Sequence, residues 1–266
     1  MRVLSLLFFC FFSVQAEVYY AKLEPIHTYT IKATYGAEVI ESHKTFEATR
    51  SLGQRILWLD DSLDKKELAS TQEKIKFLRK NITLLNQSST NAKESAGLKE
   101  ENYERMRELK TKSKVEKENE RIALLNAQNS YLIQEQSIQN QHIQLSELEY
   151  YSAVLKDKIA KKNIEVDKGF LIYKIYPSKG DFVSSGASLA EVYDVRQGKL
   201  SIFLSYEDAQ KVANAIIYID GEKTNITIDK IWEVADTQNI SAYRAEIIVP
   251  NPSAFSVLKK IEFKDK

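Results

Sequence analysis

Hydrophobic positions follow two different periods along this chain. Residues from about 17 to 59 are rich in β-branched and aromatic types, as in "VYYAKLEPIHTYTIKATYGAEVI", and that pattern predicts strands. From about 61 to 163 there is no proline and one glycine, Gly97, which predicts long helices. Strand character returns from about 165 onward, in "GFLIYKIYP", "KLSIFLS", "AIIYID", "TNITIDKIWEV" and "AYRAEIIVP". The order is therefore β, about a hundred residues of α, then β again.

The helical section carries a heptad seam. In its first arm one position of the repeat runs Leu68, Ile75, Ile82, Ser89, Ala96, Tyr103, and its companion runs Thr71, Leu78, Leu85, Ala92, Lys99, Met106. In the second arm the seam runs Leu124, Tyr131, Ile138, Leu145, Ser152, Ile159, with Ala127, Gln134, Gln141, Leu148 and Leu155 as companions. Lys99, Gln134 and Gln141 weaken it. Folding the arms antiparallel sets Leu68 opposite Ile159, Ile82 opposite Leu145, and Tyr103 opposite Leu124. One turn near Ser113 and Lys114 satisfies all three, within "LKTKSKVEKE", the most polar stretch of the section. A turn at Gly97 leaves much of the second seam unpaired. Arms of about 50 residues extend roughly 75 Å at 1.5 Å per residue. The same heptads also suit a long dimeric coiled coil without a hairpin.

A degenerate repeat flanks the helices and argues for the hairpin. "YGAEVIESHKTFEATRSLGQRILWLDD" aligns with "KGFLIYKIYPSKGDFVSSGASLAEVYD". Gly36 matches Gly169, Gly53 matches Gly186, Val39 matches Ile172, Ile56 matches Leu189, and Asp61 matches Asp194. Glu47 stands where the second copy has Gly180. Each copy is about 30 residues, too short to bury a core alone. A hairpin brings its two ends together, so the copies are expected to complete one β-sandwich.

Composition narrows the function. Lysine plus arginine is 38 and aspartate plus glutamate is 37, so no net field argues for nucleic acid. "MRVLSLLFFCFFSVQA" has a basic start, an apolar run from Val3 to Phe12, and small residues near Ala16, and reads as a cleaved secretory signal over 1–16. The run is too short to span about 30 Å of hydrocarbon. Phe9 is bulky where a lipoprotein signal wants a small residue, which argues against lipidation at Cys10. Cys10 is the single cysteine, so cleavage leaves no disulfide, no thiol nucleophile and no cysteine-based metal site. Export without disulfides suits a bacterial periplasm.

With its leader, its "GDFVSSGASL" and its following "EVYDVRQGKLSIFLSYEDAQKV", the chain resembles the periplasmic adaptor proteins, also called membrane fusion proteins (HlyD-like), of bacterial tripartite efflux and secretion systems. The resemblance implies an α+β fold: an antiparallel coiled-coil hairpin inserted into a split lipoyl-like β-sandwich, followed by a small β-barrel. The expected segments are a signal peptide 1–16, an N-terminal strand segment 17–32, lipoyl-like half one 33–60, the hairpin 61–164, lipoyl-like half two 165–195, and the barrel 196–266. It implies peripheral attachment to the inner membrane and partners there and beyond: an inner-membrane transporter of RND or ABC type, a TolC-like outer-membrane channel, and further copies of the chain, six by resemblance. The chain ends at "LKKIEFKDK", soon after the expected barrel, so the further membrane-proximal domain of many members is not expected. Arg105, Leu109 and Ser113 partly match the family's channel-binding tip, where the serine stands farther along. A periplasmic spacer or scaffold without a transport role is the alternative function.

Enzymatic chemistry finds little support. His27, His43 and His142 are far apart in sequence, and no catalytic or metal-binding spacing is present. Asp60 and Asp61 read as a helix cap and dipole complement. Met1 and Met106 are the only methionines, so copper handling by thioethers is not expected. In true carrier domains the lysine bearing lipoate or biotin sits in the turn that the hairpin replaces, so no cofactor is expected. Tyr150, Tyr151 and Phe182 are candidate contacts between copies.

Overall fold

A computed structural model describes residues 18–212, 215–236, 239 and 241–264. The expected leader lies outside the described residues. The first strands are β1 (Val18–Lys32), β2 (Ala37–Ser42), β3 (Thr49–Arg50) and β4 (Arg55–Leu59). Two long helices follow, α1 (Ser62–Glu108) and α2 (Lys114–Lys161). Next come β5 (Asn163–Glu165), β6 (Phe170–Ile175), β7 (Phe182–Val183) and β8 (Ser188–Leu204). The chain closes with α3 (Tyr206–Lys211), β9 (Ile216–Ile219), β10 (Glu222–Lys223), β11 (Ile228–Ile231), β12 (Tyr243–Pro250) and β13 (Leu258–Lys264). Two compact units result. One holds Thr34–Glu38 and Leu59–Asn163; the other holds the rest of the described chain.

In the β unit the two glycine-marked copies interlock. β2 of the first lies between β4 and β7, while β6 of the second lies between β8 and β3. Each copy thus lends a short strand to the other. The backbone bonds repeat as well. His43 N–H donates to the Ile56 carbonyl and Tyr176 N–H to the Leu189 carbonyl, both at 2.9 Å. Ala33 N–H donates to Ala187 at 2.8 Å and Val166 N–H to Gln54 at 3.2 Å. In both pairs every residue lies 133 positions from its counterpart, the spacing that also separates Gly53 from Gly186. The matched apolar residues Val39, Ile172, Ile56 and Leu189 are all completely buried. Gly53 and Gly186 take the left-handed φ values of +93° and +85° that their turns demand. Where glycine is missing, the turn shifts: Ala48 carries a φ of 60°, and the Glu47 carboxylate accepts from Ile175 N–H at 2.8 Å.

A curled antiparallel sheet, in the order β10-β9-β13-β1-β8-β12-β11, completes this unit. β8 runs unbroken through residue 195, so one strand serves both the repeat and the curled sheet. Leu23, Leu200, Ile202, Leu204, Ile217, Ile247 and Ile261 fill its interior. Along β1 and the end of β8 they alternate with more exposed neighbours, the period of two that a half-buried strand requires.

The hairpin unit follows the heptads. Every predicted seam position, from Leu68 to Met106 and from Leu124 to Ile159, is buried or half-buried. Polar seam residues find partners across it. Asn81 donates to Gln141 at 3.3 Å and Ser89 donates to Glu135, while outside the seam Arg79 bridges the arms to Glu149 at 2.6 Å. The chain reverses within Leu109–Ser113, and Lys114 already opens α2. At the other end, Asp60 rather than Asp61 supplies the cap: its Oδ1 accepts from Ser62 N–H at 2.9 Å. That bond is the main reason its carboxyl titrates below the usual range. The Asp61 side chain instead meets Lys65 at 2.9 Å. Asp64 is buried and binds two lysines, Lys158 in the last turns of α2 at 2.7 Å and Lys162 just past its end at 2.5 Å.

Candidate functional site

The hairpin tip is built from short-range polar bonds. α1 ends on Arg105 and Arg107, whose positive charge suits the negative end of the helix dipole. Leu109 then leaves the helix with extended backbone, and its N–H donates to the Met106 carbonyl at 3.2 Å. Ser113 starts α2 through a capping box. Its hydroxyl accepts from Glu116 N–H at 3.2 Å, while the Glu116 carboxylate accepts from Ser113 N–H at 2.9 Å. Lys112 meets Glu116 at 3.0 Å. Ser113 N–H, with the Lys112 and Ser113 side chains behind it, holds the Glu116 carboxyl at about 2. Lys117 crosses the turn and donates to the Arg107 carbonyl at 2.9 Å, satisfying one of the last open acceptors of α1.

Against this frame the three predicted residues differ. Arg105 is exposed and, among the described residues, hydrogen-bonds to Asn102, three positions back. Leu109 stands 47% exposed, an apolar side chain among charges. Ser113 is exposed, but its hydroxyl is committed to the cap. All three fall within the last turn of α1, the reversal and the cap of α2. The sequence reading passed over Glu116, Lys112 and Lys117, which order the turn. The Ser113-x-x-Glu116 spacing was the signal for the first of them. From Glu104 to Lys117 there are six basic residues and three acidic ones, a surplus in a chain whose net charge is +1. Such a tip offers guanidinium and ammonium donors beside two exposed apolar side chains, Leu109 and Val115. That is binding chemistry.

Other singled-out residues lie elsewhere. His43 sits 3.4 Å from Glu41, and the His27 ring lies 5.9 Å from that of Tyr29. His142 lies within α2. Among the described residues no group of three or more His, Cys, Asp and Glu is placed to hold a metal ion. Tyr150, Tyr151 and Phe182 are exposed, and the Tyr151 hydroxyl donates to Glu67. Among the described residues no helix is long and apolar enough to cross a membrane.

No protein-family model and no curated protein matches the sequence. Solved structures do. MacA from Actinobacillus actinomycetemcomitans is 16% identical, with 94% of this chain and 78% of that one aligned at a TM-score of 0.59. The membrane fusion protein Spr0693 from Streptococcus pneumoniae is 10% identical, covering 94% of this chain and 99% of that one, at 0.54. A MacA-MexA chimera carrying the α-hairpin domain of Pseudomonas aeruginosa MexA is 16% identical, covering 94% and 81%, at 0.52. At these identities the likeness is one of architecture, and in that respect the chain has the fold of the membrane fusion proteins.

Proposed function

We propose that the chain is a periplasmic adaptor that links an inner-membrane transporter to an outer-membrane channel in a tripartite efflux or secretion system. The observation that carries this is the hairpin itself: two helices of 47 and 48 residues that bury their seam against each other and present a charged tip. At 1.5 Å per residue each arm extends about 70 Å. A rod of that length transmits a contact over a distance that a compact domain cannot. Its heptad seam joins the two arms into one stiff rod, and a basic surplus is left at the end.

In this reading Arg105 presents its fork of donors to backbone carbonyls or carboxylates of the channel, and Leu109 fills an apolar groove. Ser113 holds the turn in shape. The β unit provides the flanks through which copies close a ring by heterologous contacts, six by family resemblance. A TolC-like channel and a transporter of RND or ABC type are the implied partners. The protein is exported, with residues 1–16 as the signal, and works at the periplasmic face of the inner membrane.

Cysteine placed at Lys110, with a short thiol-reactive photo-crosslinker, tests the tip in cells that express the assembled system. Capture of an outer-membrane protein is expected, and Leu109→Asp is expected to abolish it. Failure to capture any outer-membrane protein while the inner-membrane transporter is still co-purified would overturn the adaptor assignment.

A further inference from the structure

The hairpin seam uses one heptad stripe of each helix, but α2 carries a second. Its positions run in alternating steps of three and four residues from Ile122 to Ala153, on the side of α2 turned away from the seam, and every one is exposed. Ile122, Leu125, Leu132, Ile143, Tyr150 and Ala153 are apolar, and the large ones stand from 47% (Leu125) to 73% (Tyr150) exposed. The other positions, Asn129, Gln136, Gln139 and Ser146, are neutral. The stripe extends about 45 Å without a charge. The same heptad positions of α1 read differently. They hold Lys66, Glu73, Lys76, Lys80, Glu94 and Glu101 and no large apolar side chain. A solvated back explains α1 but not α2, where apolar residues at this spacing over more than four heptads are the pattern of a coiled-coil seam.

The order of polar and apolar positions is the same from either end. Outward from a centre between Ser137 and Ile138, Gln136 mirrors Gln139, Leu132 mirrors Ile143, and Asn129 mirrors Ser146. Leu125 then mirrors Tyr150, and Ile122 mirrors Ala153. Each couple is polar with polar or apolar with apolar. One step beyond, Glu118 and Asp157 are both charged, and each is already paired along its own helix, with Lys114 at 3.8 Å and Lys161 at 2.8 Å. Two identical helices that run antiparallel about a two-fold axis through that centre bring these couples into contact. A parallel pair sets every residue on itself and requires no mirror order. Antiparallel helices also oppose their dipoles.

We propose that α2 of one copy packs antiparallel on α2 of a second copy along residues 122–153, so that two hairpins lie back to back in a two-fold dimer. The contact is isologous, the same stripe on both sides. The mirror order selects this occupant: a second copy meets every layer with its like, and a charged partner finds no charge to answer. The inference goes beyond the adaptor reading. A ring of adaptors points all its tips one way, whereas this contact sets the two tips at opposite ends. The dimer is therefore a form of the chain outside the ring, which must open before the hairpins can stand side by side.

The test is sedimentation of the exported, purified chain over a range of concentrations. A dimer that dissociates on dilution is expected, and because the stripe holds no charge, salt is expected not to weaken it. The dimer buries Leu132 twice, and each buried leucine is worth about tenfold or more in association, so Leu132→Glu is expected to weaken the dimer at least about hundredfold. Thr83→Glu, on the exposed back of α1, is expected to leave it unchanged. Leu132 is exposed in the single chain, so equal thermal melts of wild type and Leu132→Glu are expected at dilution. Disulfides read the orientation in a Cys10→Ala background, which has no other cysteine. Oxidising a mixture of Leu132→Cys and Ile143→Cys chains is expected to yield covalent dimers. Neither variant alone is expected to, because each cysteine then stands about 16 Å along the axis from its copy. A chain that sediments as a monomer at every concentration overturns the proposal, as does an oligomer that Leu132→Glu leaves intact. A mixture that forms no more disulfide than its components overturns it too, and so does self-crosslinking of Leu132→Cys, the mark of a parallel contact. None of these readouts involves transporter or channel, so the adaptor reading stands or falls separately, through capture at Lys110.

Discussion

Asp64→Asn is the most informative single change at the base of the hairpin. The Asp64 side chain is 7% exposed and that of Lys162 is 8% exposed, so the pair is almost dry. Burial alone works to raise the Asp64 carboxyl, but hydrogen bonds from Lys158 and Lys162 outweigh it and leave the group below its ordinary 3.8. Replacing the carboxylate by an amide leaves the Lys162 ammonium with neutral acceptors in place of its counter-charge, the Asn oxygen and the Asp60 carbonyl 2.7 Å away. Breaking a buried pair from one side costs about 3–5 kcal/mol. Lys158 is about one-third exposed and recovers solvation, so the low end, about 3 kcal/mol, is expected. For a chain of this size that is a fall in Tm of about 6–12 °C. The helical circular-dichroism signal followed through a thermal melt measures it. The pH dependence carries the sign: a depressed carboxyl contributes stability that is fully present above its unfolded value and is lost as pH falls through the folded one. The gap between wild type and Asp64→Asn is therefore expected to be constant from pH 7 to about 5 and to close below pH 3.8. The double variant Asp64→Asn/Lys162→Met is expected to recover part of the loss, because it removes the stranded charge. A Tm unchanged in Asp64→Asn, or a gap that does not begin to narrow as the pH falls below 3.8, would refute the reasoning.

Three further changes probe local geometry. Ala48→Gly relieves the left-handed φ of 60° and is expected to stabilise the β unit by about 1 kcal/mol, read by urea denaturation. Gly198→Ala places a Cβ 2.7 Å from Leu23 Cδ1, inside the curled sheet, and is expected to cost about 1–3 kcal/mol in the same assay. Ser113→Ala removes the cap of α2 at a cost of about 1 kcal/mol, confined to the tip and seen as faster amide exchange over 113–117. Carboxyl NMR of that variant is expected to move Glu116 upward from about 2.

The hairpin was legible because its signal is periodic and one-dimensional. Seam residues such as Leu78, Ile82, Ile138 and Leu155 must recur at heptad spacing if two helices are to bury them, and chain connectivity forces the arms together. Even the polar interruptions cooperate, since Asn81 and Gln141 meet across the seam. The repeat was legible for a different reason. Gly53 and Gly186 occupy left-handed turns that few other residues tolerate, so their spacing survives when little else does. Glu47 hid the third turn. The first copy solved it by bending at Ala48 and capping Ile175 with a carboxylate, which no glycine pattern can reveal.

Side chains that act in three dimensions were harder to read. Asp60 and Asp61 drew attention as adjacent acids, yet the decisive carboxylate at the hairpin base is Asp64. Its two lysines stand 94 and 98 positions away, and nothing local marks it. The tip sits between these cases. Arg105 and Leu109 are visible as a spacing, but a spacing does not say whether a side chain is free to bind. The bonds of the turn do: Ser113 and Glu116 spend their polar atoms on each other, and Lys117 spends its ammonium on Arg107. A turn secured by its own polar atoms holds Arg105 and Leu109 in fixed positions, so a partner that meets them loses less entropy in ordering the contact.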